Sequence, residues 1–282
     1  MDMKQITDHY QSGQLSQALE SAQAYVRKAP ADENGRWLLF QLYCLCAEYT
    51  KAEKQLDFLT HSKKDDPLAA ASLMLLANIL KGETTRREFF TGAVEAPHMM
   101  DEDEALLLPS LNACKAIINA QANGESYDYT LRPLRHARCQ TMGNTLEGEF
   151  VEADDPTAHG LEVLTHDGKY YWMAWEKIDS IAFTSYEKPF DLLMRQAIIT
   201  RKTDQSEEPL VINAFVPAIY PWTPDTDLKA RMGKSTDWLS ADNDAYVYGV
   251  GQKCFLIGDD LVPILQIESL DFVGTEGAEA TA

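Results

Sequence analysis

WLLFQLYCLCAEYTKAEKQL, Trp37 to Leu56, is the most apolar run of the first sixty residues, and its reading decides the first half of the fold. Leu38, Leu42, Leu45 and Tyr49 are spaced 4, 3 and 4 apart, and Trp37, Phe40, Cys44 and Ala47 form a second row spaced 3, 4 and 3. Both rows have the period of an α-helix, and together they make it apolar nearly all round, as in a helix held between neighbours. Cys44 and Cys46 lie two residues apart, a helical rotation of about 200°, so they cannot share a metal or a disulfide. They read as small packing residues.

The neighbouring sequence repeats. Tyr10, Gly13, Leu15 and Ala18 in YQSGQLSQA align with Cys44, Ala47, Tyr49 and Ala52 in CLCAEYTKA, each pair 34 positions apart. That is the period of tetratricopeptide units, in which small residues let two antiparallel helices approach at their turn. Leu15, Leu19, Ala22 and Val26 continue one second helix, and Ala52, Leu56 and Leu59 the other. Asp66-Pro67 reads as an N-cap and first helical residue for PLAAASLMLLANILKG, closed by Gly82. Further helices are expected over Thr84–Phe90, Asp103–Gln121 and Ser126–Cys139.

From Thr141 the pattern changes. HGLEVLTHDGKYYWMAW alternates, turns at HDGK and resumes as an aromatic-rich strand, which predicts a hairpin. Strand-like segments follow at IDSIAFTS, QAIITRK, LVINAFVP, AYVYGV, KCFLIG and VPILQIESLDFV. Strands after helices, without βαβ alternation, predict an α+β fold with an antiparallel sheet or small barrel. The expected division is a helical domain over 1–140, with tetratricopeptide-like hairpins, a strand-rich α+β domain over 141–273, and a disordered tail over 274–282.

Among 282 residues, 44 Asp and Glu face 25 Lys and Arg, a formal charge of −19. Such a field repels phosphate backbones and anionic bilayers, so neither nucleic acid nor membrane is expected as a partner. The start, MDMKQITDHYQSGQ, lacks the pattern of a secretory signal, and five cysteines without paired spacing suit reduced thiols, so a cytoplasmic location is expected.

Motifs that carry chemistry are missing: there is no GxGxxG, GxxxxGK[ST], HExxH or GxSxG. Gly249-Val250-Gly251-Gln252-Lys253 joins two expected strands and opens no helix, so it lacks the geometry of a phosphate loop. The six histidines are scattered, and the paired acids Asp154-Asp155 and Asp225 with Asp227 sit in turn-rich stretches where aspartate caps and bends chain. No catalytic residue, cofactor or metal is expected. An interaction protein remains, its helical half offering a groove to an amphipathic helix or a basic segment.

Five blocks in order then give the chain a family resemblance: Gly13–Leu59, RREFFTGAVEAP (Arg86–Pro97), GKYYWMAWEKIDSIAF (Gly168–Phe183) followed by PFDLL, VPAIYPWTPDTDLKARMGKSTDW (Val216–Trp238) and GVGQKCFLIGDD (Gly249–Asp260). The chain resembles the ImpE/TagJ family of accessory proteins encoded with bacterial type VI secretion systems. It departs from the family pattern in having Ala47 for a turn glycine, and Ile219 and Lys253 where arginines stand. The resemblance implies a cytoplasmic, non-enzymatic adaptor that binds the small subunit of the contractile sheath through its N-terminal helix. It further implies an influence on sheath handling by the ClpV-type unfoldase.

Candidate partner-binding residues are Tyr171, Trp172 and Trp175 of the aromatic strand and Trp222 of a Pro-rich loop, since aromatic anchors dominate interfaces. Two other readings are weighed beside this one. The first is a hydrolase or ligand-binding protein with an inter-domain site using Asp225, Asp227 or Lys253, and the second a repeat scaffold of another assembly.

Overall fold

A computed structural model describes residues 2–119, 132–241 and 245–273. Helices α1 (Met3–Gln11), α2 (Leu15–Lys28), α3 (Glu33–Leu45), α4 (Tyr49–Ser62) and α5 (Pro67–Phe90) follow one another, each packed on the next. The 34-residue spacing recurs in two helix endings. α1 ends where Gly13 (φ 80°) donates to the Tyr10 carbonyl and Gln14 to that of His9. α3 ends where Ala47 (φ 57°) donates to Cys44 and Glu48 to Tyr43. The pair of reversed bonds is a Schellman ending, which needs one left-handed residue after the helix. In the second copy an alanine carries that conformation. Ala18 and Ala52, at matching places in the second helices, are both fully buried.

One long helix replaces two expected ones: α5 runs through Gly82 to Phe90. Gly82 permits a close approach there, because a β-carbon would sit 3.1 Å from the Leu164 side chain. α6 (Glu104–Asn119) follows a short 3-10 turn at Asp101–Asp103. The expected helix over Ser126–Cys139 is corrected in its last part, since Arg135–Thr141 is strand β1, while residues 126–131 lie outside the described residues. Acidic Met142–Pro156, just after the expected division at 140, contains strand β2 (Thr145–Glu152). The strand-rich part thus begins at or before Arg135. The tail, 274–282, lies outside the described residues.

The remaining strands are β3 (Gly160–Leu164), β4 (Tyr170–Ala174), β5 (Ile178–Phe183), β6 (Met194–Thr203), β7 (Ser206–Pro217), β8 (Thr236–Ala241), β9 (Tyr246–Gly251), β10 (Cys254–Ile257), β11 (Asp260–Pro263) and β12 (Ile267–Val273). A short helix, α7 (Leu228–Arg231), precedes β8. Ten strands form one sheet in the order β11-β10-β2-β1-β12-β5-β6-β7-β3-β4, and β8 pairs with β9 in a separate hairpin. Every pairing in the sheet is antiparallel, so the α+β expectation holds. The barrel expectation is corrected: the order has two ends, β11 and β4, and does not close among the described residues.

Alternation along the strands gives the sheet two buried faces. Tyr170, Trp172 and Ala174 of β4 pack against the helices, in one cluster with Phe40, Ile79, Phe89 and Leu107. Met173 and Trp175 face the other way, into a cluster with Phe150, Ile181, Phe255 and Leu270. That second cluster takes Val262 from β11 and Leu161 from β3, near opposite ends of the strand order, so the sheet curls around it. The helical and strand-rich halves share the first cluster as a common core.

Candidate functional site

The halves are also joined by buried charge. Glu162 of β3 is wholly enclosed, as is Lys253, and Arg86 of α5 is 3% exposed. Arg86 Nε donates to Glu162 Oε1 at 2.7 Å and its Nη2 to Oε2 at 3.3 Å. Lys253 Nζ approaches Oε2 at 2.9 Å, and the Tyr170 hydroxyl donates to Oε1 at 2.7 Å, itself receiving the Trp172 indole N–H. Arg86 also reaches Glu83 Oε2 and the Ile219 carbonyl, at 3.4 and 2.9 Å. Burial opposes ionisation of Glu162, but Arg86 and Lys253 outweigh it and bring its pKa down to about 2. For Arg86, burial likewise opposes the charge, and Glu162 and Glu83 hold its pKa above the ordinary arginine value.

A second acid pair has the opposite balance. Glu152 and Asp154 are buried around the end of β2, where burial raises Glu152 to about 8 and Asp154 to about 6. Tyr220 donates to Glu152 Oε1 at 3.1 Å, while Glu152 Oε2 has no partner among the described residues. Asp154 Oδ1 accepts from the Gly249 N–H at 2.7 Å, and its Oδ2 from Thr157. Asp155 accepts the Val247 N–H and pairs with Arg132. Asp154 and Asp155 tie β9 to the turn after β2, so they act as structural caps, as the turn-rich sequence around them suggests.

Other ties cross between the halves. Arg231 of α7 donates to the carbonyls of Leu45 and Cys44 at 3.1 Å each, and to the Tyr49 hydroxyl at 2.8 Å. A guanidinium at the end of α3 meets the negative end of the helix dipole there. Arg201 binds Asp103 with two bonds, at 2.6 and 2.8 Å, and Glu102 with a third. No regular spacing announces partners 76 or 98 positions apart, so these pairs were not readable beforehand.

The inter-domain catalytic reading does not assemble. Asp225 is exposed and pairs with Arg87 at 2.6 Å, Asp227 caps α7 by accepting the Ala230 N–H, and Lys253 is committed to Glu162. The three residues serve different contacts. Among the described residues no group of three or more His, Cys, Asp or Glu is arranged to hold a metal ion. All five cysteines are free, and burial raises the Cys44 and Cys114 thiols well above their usual range.

The aromatic candidates separate by depth. Trp172 and Trp175 are fully enclosed, Trp172 against Phe89 and Phe90, and Trp175 against Phe150 and Phe255. Neither offers a face to a partner, so as contact residues they are corrected: strand alternation turns both into cores on opposite sides of β4. Tyr171 is half-buried beside His98, whose backbone bridges to the same strand. Trp222 is half-buried between Phe90 and Tyr248, with ring centroids 4.9 and 5.4 Å away. A groove of about 440 Å3 was not singled out in the sequence: its floor is Val26, Leu39 and Tyr43 of α2 and α3, and its rim Gln23, Arg27, Pro30 and Arg36. Helical periodicity placed these apolar residues toward neighbours and could not show that one side stays open.

The GxGQ block is a backbone lock. Gly251 has φ 88°, and a β-carbon there would lie 2.0 Å from the Ser235 carbonyl oxygen, so only glycine fits. Its N–H donates to the Thr223 hydroxyl, and the Gln252 side chain holds the Gly233 carbonyl. With this geometry the Gly249–Gln252 stretch has a physical reason.

Residues 146–271 match the ImpE protein family. The ImpE/TagJ resemblance holds beyond that stretch. The chain is 25% identical over 269 residues to the type VI secretion system accessory component TagJ of Pseudomonas aeruginosa, covering 94% of this chain and 90% of the relative. A crystal structure of a Vibrio parahaemolyticus protein aligns with TM-score 0.78 at 19% identity, covering 98% of this chain and 100% of that one, which shows the shared fold. The ImpE match covers β2 to β12, and so includes Glu162, Lys253 and the Gly251 lock, while Arg86 lies outside it.

Proposed function

We propose that this chain is a non-enzymatic accessory protein of bacterial type VI secretion, an adaptor that holds the N-terminal helix of the small sheath subunit. The observation that carries the reading is the similarity to TagJ over 94% of the chain. Through that grip the adaptor would influence how the ClpV-type unfoldase handles the sheath. The natural location is the cytoplasm, where the sheath would be met, and among the described residues no helix is long and apolar enough to cross a membrane.

The geometry favours the α2–α3 groove as the seat of the helix. Val26, Leu39 and Tyr43 present an apolar floor, the surface that helix-in-groove recognition uses. Arg27 and Arg36 stand on its rim, a local positive charge that favours an occupant whose polar flank is acidic. On this reading α1–α4 are two tetratricopeptide-like units, joined at the matching turns of Gly13 and Ala47. Trp222 and Tyr171 remain as partly exposed aromatic candidates for a second contact.

The test is calorimetric titration with a synthetic peptide of the sheath small subunit's N-terminal helix from the same organism. Saturable one-to-one binding that Arg27→Glu weakens supports the groove. Binding unaffected by Arg27→Glu but lost in Trp222→Ala moves the seat to the Trp222 side.

A further inference from the structure

Between the loop after β5 and the start of β6 lies a cavity of about 290 Å3, its wall including Ser185, Tyr186, Lys188, Asp191, Arg195 and Gln196. Arg195 is 3% exposed. Buried Arg86 and Arg201 and the more open Arg132 each meet a carboxylate, whereas the bonds of Arg195, like two of the three of Arg231, go to backbone carbonyls. Its Nη1 donates to Ile264 and Ile267, at 2.6 and 2.8 Å, and its Nη2 to Thr184 at 2.7 Å. A guanidinium has five N–H donors, so Nε–H and one Nη2–H remain, and Nε is buried with no partner among the described residues. Nε and Nη2 form the edge with which an arginine grips a carboxylate side-on. The guanidinium carbon lies 4.7 Å from the Phe183 ring centroid and 5.7 Å from that of Tyr186, so aromatic walls fix its plane.

We propose that this cavity binds a singly charged carboxylate on the free edge of Arg195. A buried charged donor without an acceptor is costly, and a planar acceptor supplying two oxygens removes that cost. Lys188, Ser185 and Gln196 add donors to the same wall. Glu187 and Asp191 also line it, and Asp191 stays in place by accepting the backbone N–H groups of Glu187 and Lys188 at 2.9 Å each. A dianion such as phosphate meets both acids, so the wall selects against higher charge. A carboxylate can come from a peptide C-terminus or from an acidic side chain.

The experiment follows the arginine Nε–H resonances of the full 15N-labelled chain. Probes are N-acetylglycine, mimicking a C-terminus, and N-acetylglutamate amide, mimicking a side chain, with inorganic phosphate and sodium chloride at matched ionic strength. The Arg195 resonance is assigned by through-bond correlation, so the outcome does not depend on a variant that fails to fold. It should move saturably with at least one carboxylate, and whichever mimic acts identifies the source. Lys188→Ala, an exposed position, should weaken the effect ~2–5-fold, the scale of an exposed ion pair. A resonance unmoved by both carboxylates, or moved as far by phosphate or chloride, overturns the proposal.

Discussion

Arg86 and Glu162 meet across 76 positions of chain, with Nε 2.7 Å from Oε1 and both side chains out of solvent. One lies on α5 and the other on β3, next to the end strand of the sheet, so the pair fixes how the halves dock. Removing one partner of such a pair strands a buried charge, at a cost of about 3–5 kcal/mol. Arg86→Met should therefore lower stability by that amount in denaturant unfolding. Arg86→Met with Glu162→Gln should cost less than the sum of the two single changes, because the buried carboxylate that has lost Arg86 and keeps only Lys253 is then gone. Additive losses would mean that the pair is not coupled.

Ala47 occupies the left-handed position that Gly13 fills 34 residues earlier. A β-carbon in that conformation costs roughly 1–2 kcal/mol, part of which glycine gives back through its larger unfolded-state entropy. Ala47→Gly should raise stability by about 0.5–1 kcal/mol, and Gly13→Ala should lower it by a similar amount. Opposite signs at matching turns are the signature of a true repeat, and thermal unfolding of the two variants checks it.

Acidity should act through Glu152, Asp154 and Glu162 in opposite directions. Glu152 rises from 4.5 to about 8 and Asp154 from 3.8 to about 6 on folding, so the folded chain holds protons that the unfolded chain releases. Stability from these groups falls as pH rises through those windows. Glu162 drops from 4.5 to about 2, so its contribution is present above 4.5 and lost as pH falls toward 2. Glu152→Gln keeps an acceptor for Tyr220 and the Asp154 N–H while removing the proton. The drop in unfolding midpoint between pH 5 and pH 8 should shrink in that variant. An unchanged drop would assign it to other groups.

Trp172 and Trp222 should respond differently to truncation. Trp172→Ala opens a cavity against Phe89 and Phe90 and should cost about 3–5 kcal/mol of stability. Trp222 is half-buried, so Trp222→Ala should leave the chain folded, with a smaller loss. Circular dichroism melts of the two variants separate core from surface.

What could be read beforehand was local. The 34-residue spacing of Gly13 and Ala47 reported a repeated turn, and alternation in GKYYWMAW reported a strand, because each follows from neighbours along the chain. TLEGEFVE was missed as β2, its alternate acids and its glycine diluting the apolar signal. Gly82 was mistaken for a helix end, since a close approach to Leu164 and a helix stop use the same residue. The aromatic cluster was legible as a cluster. Its burial was not, because whether a strand has one covered face or two depends on helices distant along the chain, such as α5 with Phe89 and α6 with Leu107. Arg195 and the α2–α3 groove stayed hidden for the same reason: exposure and unmet hydrogen bonds are properties of the assembled fold.

The most direct measurement of the adaptor role is the calorimetric titration with the sheath small subunit's N-terminal helix, repeated with the full-length subunit. The predicted result is saturable one-to-one heat, weakened by Arg27→Glu at the rim of the groove. A flat trace with both the peptide and the full-length subunit, from a chain that unfolds cooperatively, would contradict it.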